Sequence, residues 1–252
     1  MVDTIEATPR IALLHALEES VLPARAAFTA HWPQAKIFDL LDTSLATDLA
    51  ARGSLDEAMT ERFLTLGRYA AATEGTDGPA KAILFTCSAF GPAIDAVKRA
   101  LPIPVLRPNE SAFTEALAAG SRIGLIVTFG PSLASLTREL EEMAGRPVTV
   151  KGVLAEGALA ALKQGDGASH DRLVAEAAAQ LNGVDVVVLG QFSLARSREA
   201  VERATGLPVV TTPEAAVRGL QKAISSPAGE NWSGQDDPLQ LPGVTAYCGA
   251  VG

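Results

Sequence analysis

Short apolar runs alternate along the chain with longer stretches in which apolar residues recur at helical spacing. The runs are rich in Val, Ile and Leu and predict buried strands at 11–14, 36–40, 82–86, 103–106, 123–128, 148–153, 184–189 and 208–210. The amphipathic or Ala-rich stretches predict helices at 54–72, 91–100, 110–119, 132–144, 169–181 and 195–204. Parallel strands need crossover connections, which helices supply. The alternation therefore predicts an α/β fold with helices on both faces of parallel sheets.

The two halves of this pattern resemble each other at an offset of 104 residues. Segment 83–87 (ILFTC) falls on 187–191 (VVLGQ), and 104–106 (PVL) falls on 208–210 (PVV). In each half a strand ends in a turn, a helix follows, and a second strand comes next. Two similar lobes facing each other would bring the two turns together.

The predicted domain organisation follows from the repeat and from the composition of the C-terminus. We expect a first α/β lobe at 1–107, a second at 108–212, a closing helix at 213–224 and an extended tail at 225–252. The tail is rich in Pro, Gly and polar residues and lacks any period, which is typical of extended chain.

Composition narrows the classes of partner. The chain has 252 residues, of which 48% are hydrophobic, and a formal net charge of −8. A negative protein with no Lys/Arg cluster lacks the basic face that nucleic acid or an anionic membrane requires. Its N-terminus carries acidic residues where a signal peptide has basic ones, and no apolar run approaches the ~18 residues of a membrane span. We expect a cytoplasmic enzyme with a small-molecule partner, with a homo-oligomer as an open alternative.

Cysteine and histidine usage argues against disulfides and metal sites. The two cysteines, Cys87 and Cys248, are expected to be free thiols in a reducing compartment, and Cys248 falls in the predicted tail. The three histidines, His15, His31 and His170, are not spaced from one another or from the cysteines as metal ligands usually are.

The turn after the strand at 82–86 contains the sharpest candidate for chemistry. Ligands of open α/β sheets bind beyond the carboxyl ends of the strands, and Cys87 stands there, ahead of a predicted helix. We expect the N–H groups and dipole of that helix to lower the thiol pKa, so that Cys87 serves as base or nucleophile. A buried structural cysteine is the alternative.

Other candidates follow the neighbouring strands. Hydroxyl groups and backbone N–H groups at helix starts can hold a carboxylate or an oxyanion, although simple helix capping explains each hydroxyl equally well. Phenylalanines beside the turns predict a partly apolar pocket. His15 is a candidate to orient substrate or exchange a proton. The predicted substrate-binding residues are Ser88, Ala89, Phe90, Asn109, Thr128, Ser132, Phe192 and Ser193.

Over roughly residues 10 to 222 the chain resembles the aspartate/glutamate racemase superfamily, which includes hydantoin racemases, maleate isomerases and arylmalonate decarboxylases. The resemblance rests on the motifs 83–88 (ILFTCS), 123–128 (IGLIVT), 185–190 (DVVVLG) and 208–214 (PVVTTPE). It implies two lobes in pseudo-twofold relation, an active site between them and no cofactor. In the racemases a cysteine from each lobe flanks the substrate carbon.

The chain departs from this pattern in the second lobe. Cys87 matches the first cysteine, but Gln191 stands where the second is expected, and an amide cannot deliver a proton in water. We therefore expect a single-cysteine isomerase or racemase-type enzyme that acts next to a carboxylate, with Cys87, Gln191 and His15 in its site. One alternative is decarboxylation of a malonate-type acid with Cys87 as proton donor. Another is a non-catalytic carboxylate-binding module.

Overall fold

A computed structural model describes residues 8–225. The prediction for Cys248 and nearly all of the predicted tail lie outside the described residues. The first half of the chain forms β1 (Arg10–His15), α1 (Val21–His31), β2 (Lys36–Leu41), α2 (Ser44–Arg52), α3 (Glu57–Ala71), β3 (Glu74–Gly75), β4 (Gly78–Phe85), α4 (Gly91–Ala100) and β5 (Val105–Leu106). Short 3-10 turns at Glu18–Ser20 and Ser88–Phe90 follow β1 and β4.

The second half repeats this architecture. It forms α5 (Glu110–Ala119), β6 (Arg122–Val127), α6 (Gly130–Ala144), β7 (Thr149–Leu154), α7 (Ala158–Lys163), α8 (Gly167–Ala178), β8 (Val186–Leu189), α9 (Arg198–Thr205), β9 (Val209–Thr211) and α10 (Thr212–Ser225). A 3-10 helix, Phe192–Ser197, stands between β8 and α9.

Each half contains a parallel sheet with the same strand order. The first sheet runs β2-β1-β4-β5, and the second runs β7-β6-β8-β9. One element has no counterpart: β3 pairs antiparallel with β4 as a two-residue hairpin arm, Thr76-Asp77 forms the turn between them, and Gly78 follows it with a positive φ of 87°. The expected α/β fold of two similar lobes is confirmed.

The strand registers confirm the 104-residue repeat. Ile83 pairs with Val105 in the first sheet, and Val187 pairs with Val209 in the second, so both partners are displaced by the same offset. At the strand ends, Thr86 N donates to Leu14 O at 3.0 Å, and Gly190 N donates to Ile126 O at 2.9 Å. Cys87 and Gln191 therefore leave their sheets at equivalent points.

The last helix belongs to the core of the first sheet, although it follows the second sheet in the chain. Ala216, Val217 and Leu220 of α10 pack in one buried cluster with Ile11 and Leu84. Apolar helix positions at this spacing form one face, which covers the first sheet beside α1. The closing helix thus ties the two lobes together.

None of the helices within residues 8–225 is long and apolar enough to cross a membrane.

The core position of α10 yields a stability test. Leu220 is fully buried, so Leu220→Ala should lower the free energy of unfolding by about 2–5 kcal/mol. Lys222→Ala, on the exposed side of the same helix, should cost under about 1 kcal/mol. Urea unfolding of the two variants measures both values. A Leu220→Ala cost below that of Lys222→Ala would contradict the assignment of α10 to the core.

Candidate active site

Cys87 lies at the carboxyl end of the central strand of the first sheet. The preceding residue, Thr86, is still bonded to β1, whereas Cys87 is partly exposed and caps the 3-10 turn Ser88–Phe90. The Phe63 ring packs against Phe85 and Phe90 on either side of Cys87, with centroid distances of 5.4 and 4.7 Å. These contacts hold the turn, and so the thiol, in a fixed place.

The thiol pKa differs from the sequence expectation. Burial raises the pKa of Cys87 to about 11, and the hydrogen bond from the Ala89 N–H offsets this only in part. The predicted lowering of the thiol pKa is wrong because the effect of burial dominates and because a 3-10 turn separates Cys87 from the start of α4 at Gly91. The dipole effect of a helix falls off within its first turn. At neutral pH Cys87 is therefore a protonated thiol, which can donate a proton but must lose that proton before it can accept one.

His15, at the end of β1, is buried and hydrogen-bonded at both ring nitrogens. Its Nε2 donates to Asp39 Oδ1 at 3.0 Å, since a carboxylate can only accept. Its Nδ1 lies 2.8 Å from Thr86 Oγ1 and 2.9 Å from Ser20 Oγ. Burial lowers the pKa of His15 below its usual 6.5, although Asp39 acts in the opposite direction. His15 thus connects the residue before Cys87 to Asp39, and both of its ring nitrogens already have hydrogen-bond partners.

Asp39 is the residue of this network that sequence reasoning missed. It lies on β2, the neighbour of β1, and Arg25 of α1 binds its second oxygen. A lone carboxylate in the apolar strand 36–41 was the available signal, because such a group needs a partner when a sheet and helices cover it.

Gln191 is anchored by the turn that follows β6. Its Oε1 accepts hydrogen bonds from Thr128 N and Thr128 Oγ1, both at 2.7 Å. With the oxygen so occupied, the Nε2 amide is the part of the side chain suited to donate to a ligand. Asn109 supports the turn after β8 that contains Gln191, since its buried Nδ2 donates to Gly190 O at 3.1 Å.

The strand ends of the two lobes meet. The turn Ser88–Phe90 packs against α6 of the second lobe, and the turn Glu18–Ser20 packs against the 3-10 helix Phe192–Ser197. The carboxyl ends of both sheets therefore face one junction, where ligands of open α/β sheets bind. Arg107 crosses the same junction between Asp95 of α4 and Glu139 of α6.

The structure places the predicted substrate-binding residues in two groups. Ser88, Ala89 and Ser193 are partly exposed at the turns. Thr128 and Asn109 are buried and hold Gln191 and Gly190, and the buried Ser132 donates to Phe129 O at 2.7 Å as a helix-start hydroxyl. The second group therefore positions the turns.

Phe90 and Phe192 correct the expectation of an aromatic pocket wall. Phe90 is fully buried against Phe63, and Phe192 is 2% exposed within the cluster that α10 forms with the first sheet. Both side chains point into cores, so neither can contact a substrate. Phe192 instead anchors the second lobe in the core of the first.

A cavity of about 150 Å³ lies beside Cys87. It extends between the ends of β1, β2 and β4 and the helices α2 and α3. Its lining is mainly apolar, and Phe85, Leu45, Phe63 and Leu66 contribute to it.

Sequence comparison agrees with this architecture. Residues 25–220 match the sequence profile described as Asp/Glu/Hydantoin racemase. The chain belongs to this racemase family. A curated relative, an uncharacterized protein of Schizosaccharomyces pombe (strain 972 / ATCC 24843), is 25% identical over 171 residues, which are 65% of this chain and 72% of the relative.

Several solved structures share the fold of this racemase-family chain. Glutamate racemase RacE1 from Bacillus anthracis has a TM-score of 0.64 at 16% identity, over 86% of this chain and 81% of that one. Allantoin racemase from Pseudomonas fluorescens has a TM-score of 0.62 at 18% identity, over 84% of this chain and 89% of that one. A glycine-to-cysteine mutant of arylmalonate decarboxylase has a TM-score of 0.62 at 18% identity, over 87% and 94%.

Alkylation kinetics test the thiol pKa. In a Cys248→Ser background, the rate of Cys87 alkylation by iodoacetamide should keep rising to about pH 11, because only the thiolate reacts. Circular dichroism over the same pH range serves as the control for folding. A rate that levels off below pH 8.5 would show an acidic thiol and contradict the effect of burial described above.

The pH dependence of stability tests the state of His15. Its folded pKa is lowered, so the unfolded chain takes up a proton first as pH falls below about 6.5, and the folded state loses stability. His15→Gln removes this loss. The stability difference between wild type and His15→Gln should therefore shrink on acidification from pH 7.5 to 5.5, by at most about 1.4 kcal/mol per pH unit. A constant difference would show that His15 titrates alike in both states.

Proposed function

We propose that this chain is a cofactor-independent isomerase of the racemase type, which acts at the carbon next to a carboxylate with Cys87 as its acid, base or nucleophile. The observation that carries the proposal is the position of Cys87. This partly exposed residue stands at a central strand end, where its side chain lines a cavity, and the equivalent position of the other lobe is Gln191.

Neutral donors are proposed to bind the substrate carboxylate. Arg107 is held by Asp95 and Glu139, and Arg196 by Asp171, so these two arginines are already neutralised. The backbone N–H groups of the turn after Cys87, the hydroxyls of Ser88 and Ser193, and the Gln191 amide are suited to this role. Such donors also stabilise the enediolate that forms when the neighbouring carbon loses a proton.

The two lobes contribute unequal chemistry. Two-base racemisation needs a titratable group on each face of the substrate carbon, and the Gln191 amide does not titrate. One thiol suffices for another isomerisation. The thiol first loses its proton to water, the thiolate then adds to one carbon of a double bond, and the electron pair of that bond moves toward the carboxylate on the other carbon. Rotation about the resulting single bond and departure of the thiolate then give the isomer.

Decarboxylation is the second candidate, and the high thiol pKa favours it. Loss of carbon dioxide from a malonate-type acid leaves the bonding electron pair on the carbon as an enediolate. A thiol that keeps its proton at neutral pH can donate that proton to the carbon, and water then restores the thiol. An arylmalonate decarboxylase is among the proteins of similar fold. A carboxylate-binding module is the remaining alternative and would need no reactive thiol.

Replacement of Cys87 tests the proposal. Cys87→Ser should abolish turnover in a screen of α-substituted acids and diacids, because a serine hydroxyl in place of the thiol neither ionises nor leaves usefully at neutral pH. The screen follows deuterium incorporation in D₂O, cis-trans conversion and carbon dioxide release. Cys248→Ser is the matched control and should keep full activity.

The outcomes separate the candidates. Deuterium incorporation or cis-trans conversion that depends on Cys87 supports the isomerase, and Cys87-dependent release of carbon dioxide supports the decarboxylase. Turnover that survives in Cys87→Ser would overturn both. If the wild type binds carboxylates but turns none of them over, the result supports the binding-module alternative.

A further inference from the structure

The cavity beside Cys87 has the size and lining of a site for an apolar group. Its volume of about 150 Å³ is that of a cavity known to stay dry and admit benzene when Leu, Ile and Phe line it. Its apolar lining here includes Leu14, Leu40, Leu45, Phe63 and Leu66. Cys87 also lines the cavity, so a group inside it would lie next to the thiol.

Charge sets the direction in which a carboxylate ligand would enter. Asp42 lies on the cavity wall. Burial raises its pKa, but hydrogen bonds from Ser44 and Arg62 outweigh this effect and lower the pKa, so the carboxylate stays negative. Arg62 pairs with both Asp42 and Asp48, so this cluster of two carboxylates and one guanidinium remains negative and would repel a ligand carboxylate. His15, the other ionisable wall residue apart from Cys87 and Tyr69, is neutral at pH 7 because burial lowers its pKa. The carboxylate of a ligand would therefore lie toward the turn after Cys87, and the apolar part of the ligand would lie inside the cavity.

We propose that this cavity is the specificity subsite for an apolar substituent of about the size of a phenyl ring, carried by the carbon on which Cys87 acts. The substrate class is then an aryl- or branched-alkyl-substituted carboxylic acid. This inference rests on the function proposed above. Leu45 of α2 and Phe63 and Leu66 of α3 are the residues that determine the size of the substituent.

Helix α3 offers a matched pair of variants. Leu64 and Leu66 are both partly buried leucines packed against the same core cluster, but only Leu66 lines the cavity. Leu66→Trp should fill the cavity, whereas Leu64→Trp adds the same bulk to the same helix outside it. Leu66→Ala should widen the cavity.

Calorimetric titration of the Cys248→Ser protein with acetate, phenylacetate and 2-naphthylacetate tests the subsite. We expect phenylacetate to bind at least roughly 10-fold more tightly than acetate, since even one buried methylene contributes that much to discrimination. Leu66→Trp should abolish this preference, while Leu64→Trp should keep it. Leu66→Ala should shift it toward 2-naphthylacetate, which remains informative if Leu66→Trp does not fold.

Two results would overturn the subsite. One is equal affinity of the wild type for phenylacetate and acetate, and the other is an equal loss of preference in the two Trp variants. The proposed function fails differently, through turnover that persists in Cys87→Ser. Titration of Cys87→Ser with the same three acids keeps the two failures distinct, because the apolar preference does not depend on the thiol.

Discussion

The hydrogen bond from Thr86 N to Leu14 O is the constraint on which the site depends, because it fixes where the chain leaves the first sheet. One residue later the backbone turns, and Cys87 emerges at the strand end. The bond from Gly190 N to Ile126 O fixes Gln191 in the same way. A slip of one residue in either register would turn every side chain of the strand to the opposite face. The hydrogen-bond registers of the two parallel sheets thus fix the positions of Cys87 and Gln191.

Packing between the lobes turns two strand ends into one site. Phe192 follows Gln191 directly and is inserted into the core that α10 and α1 form over the first sheet. Displacing Phe192 would displace Gln191 with it. Arg107 closes the junction on another side through Asp95 and Glu139. The burial that gives this stability also raises the pKa of Cys87, so the same packing that places the thiol keeps it protonated at neutral pH.

The strands and the repeat were predictable because buried parallel strands read as continuous apolar runs, such as 123–128 and 184–189. Cys87 and Gln191 were found in the same way, as the residues after such runs. Three helices, α1, α2 and α7, are not among those predicted. Helices α2 and α7 span too few turns to show a period, and apolar residues surround much of α1, which hides its buried face. The role of Asp39 and the cavity wall of α3 depend on contacts between distant segments. The sign of the Cys87 pKa shift depends on how far the folded chain buries the residue, and the sequence around a strand end does not show that.

The central claim is that one thiol serves one face of the substrate carbon. The most direct test is the stereochemistry of proton delivery in D₂O, followed by chiral chromatography and mass spectrometry on a substrate that the screen identifies. The account predicts that the wild type places deuterium on a single face, and that Gln191→Cys adds a small amount of delivery to the opposite face. Equal delivery to both faces by the wild type would contradict it.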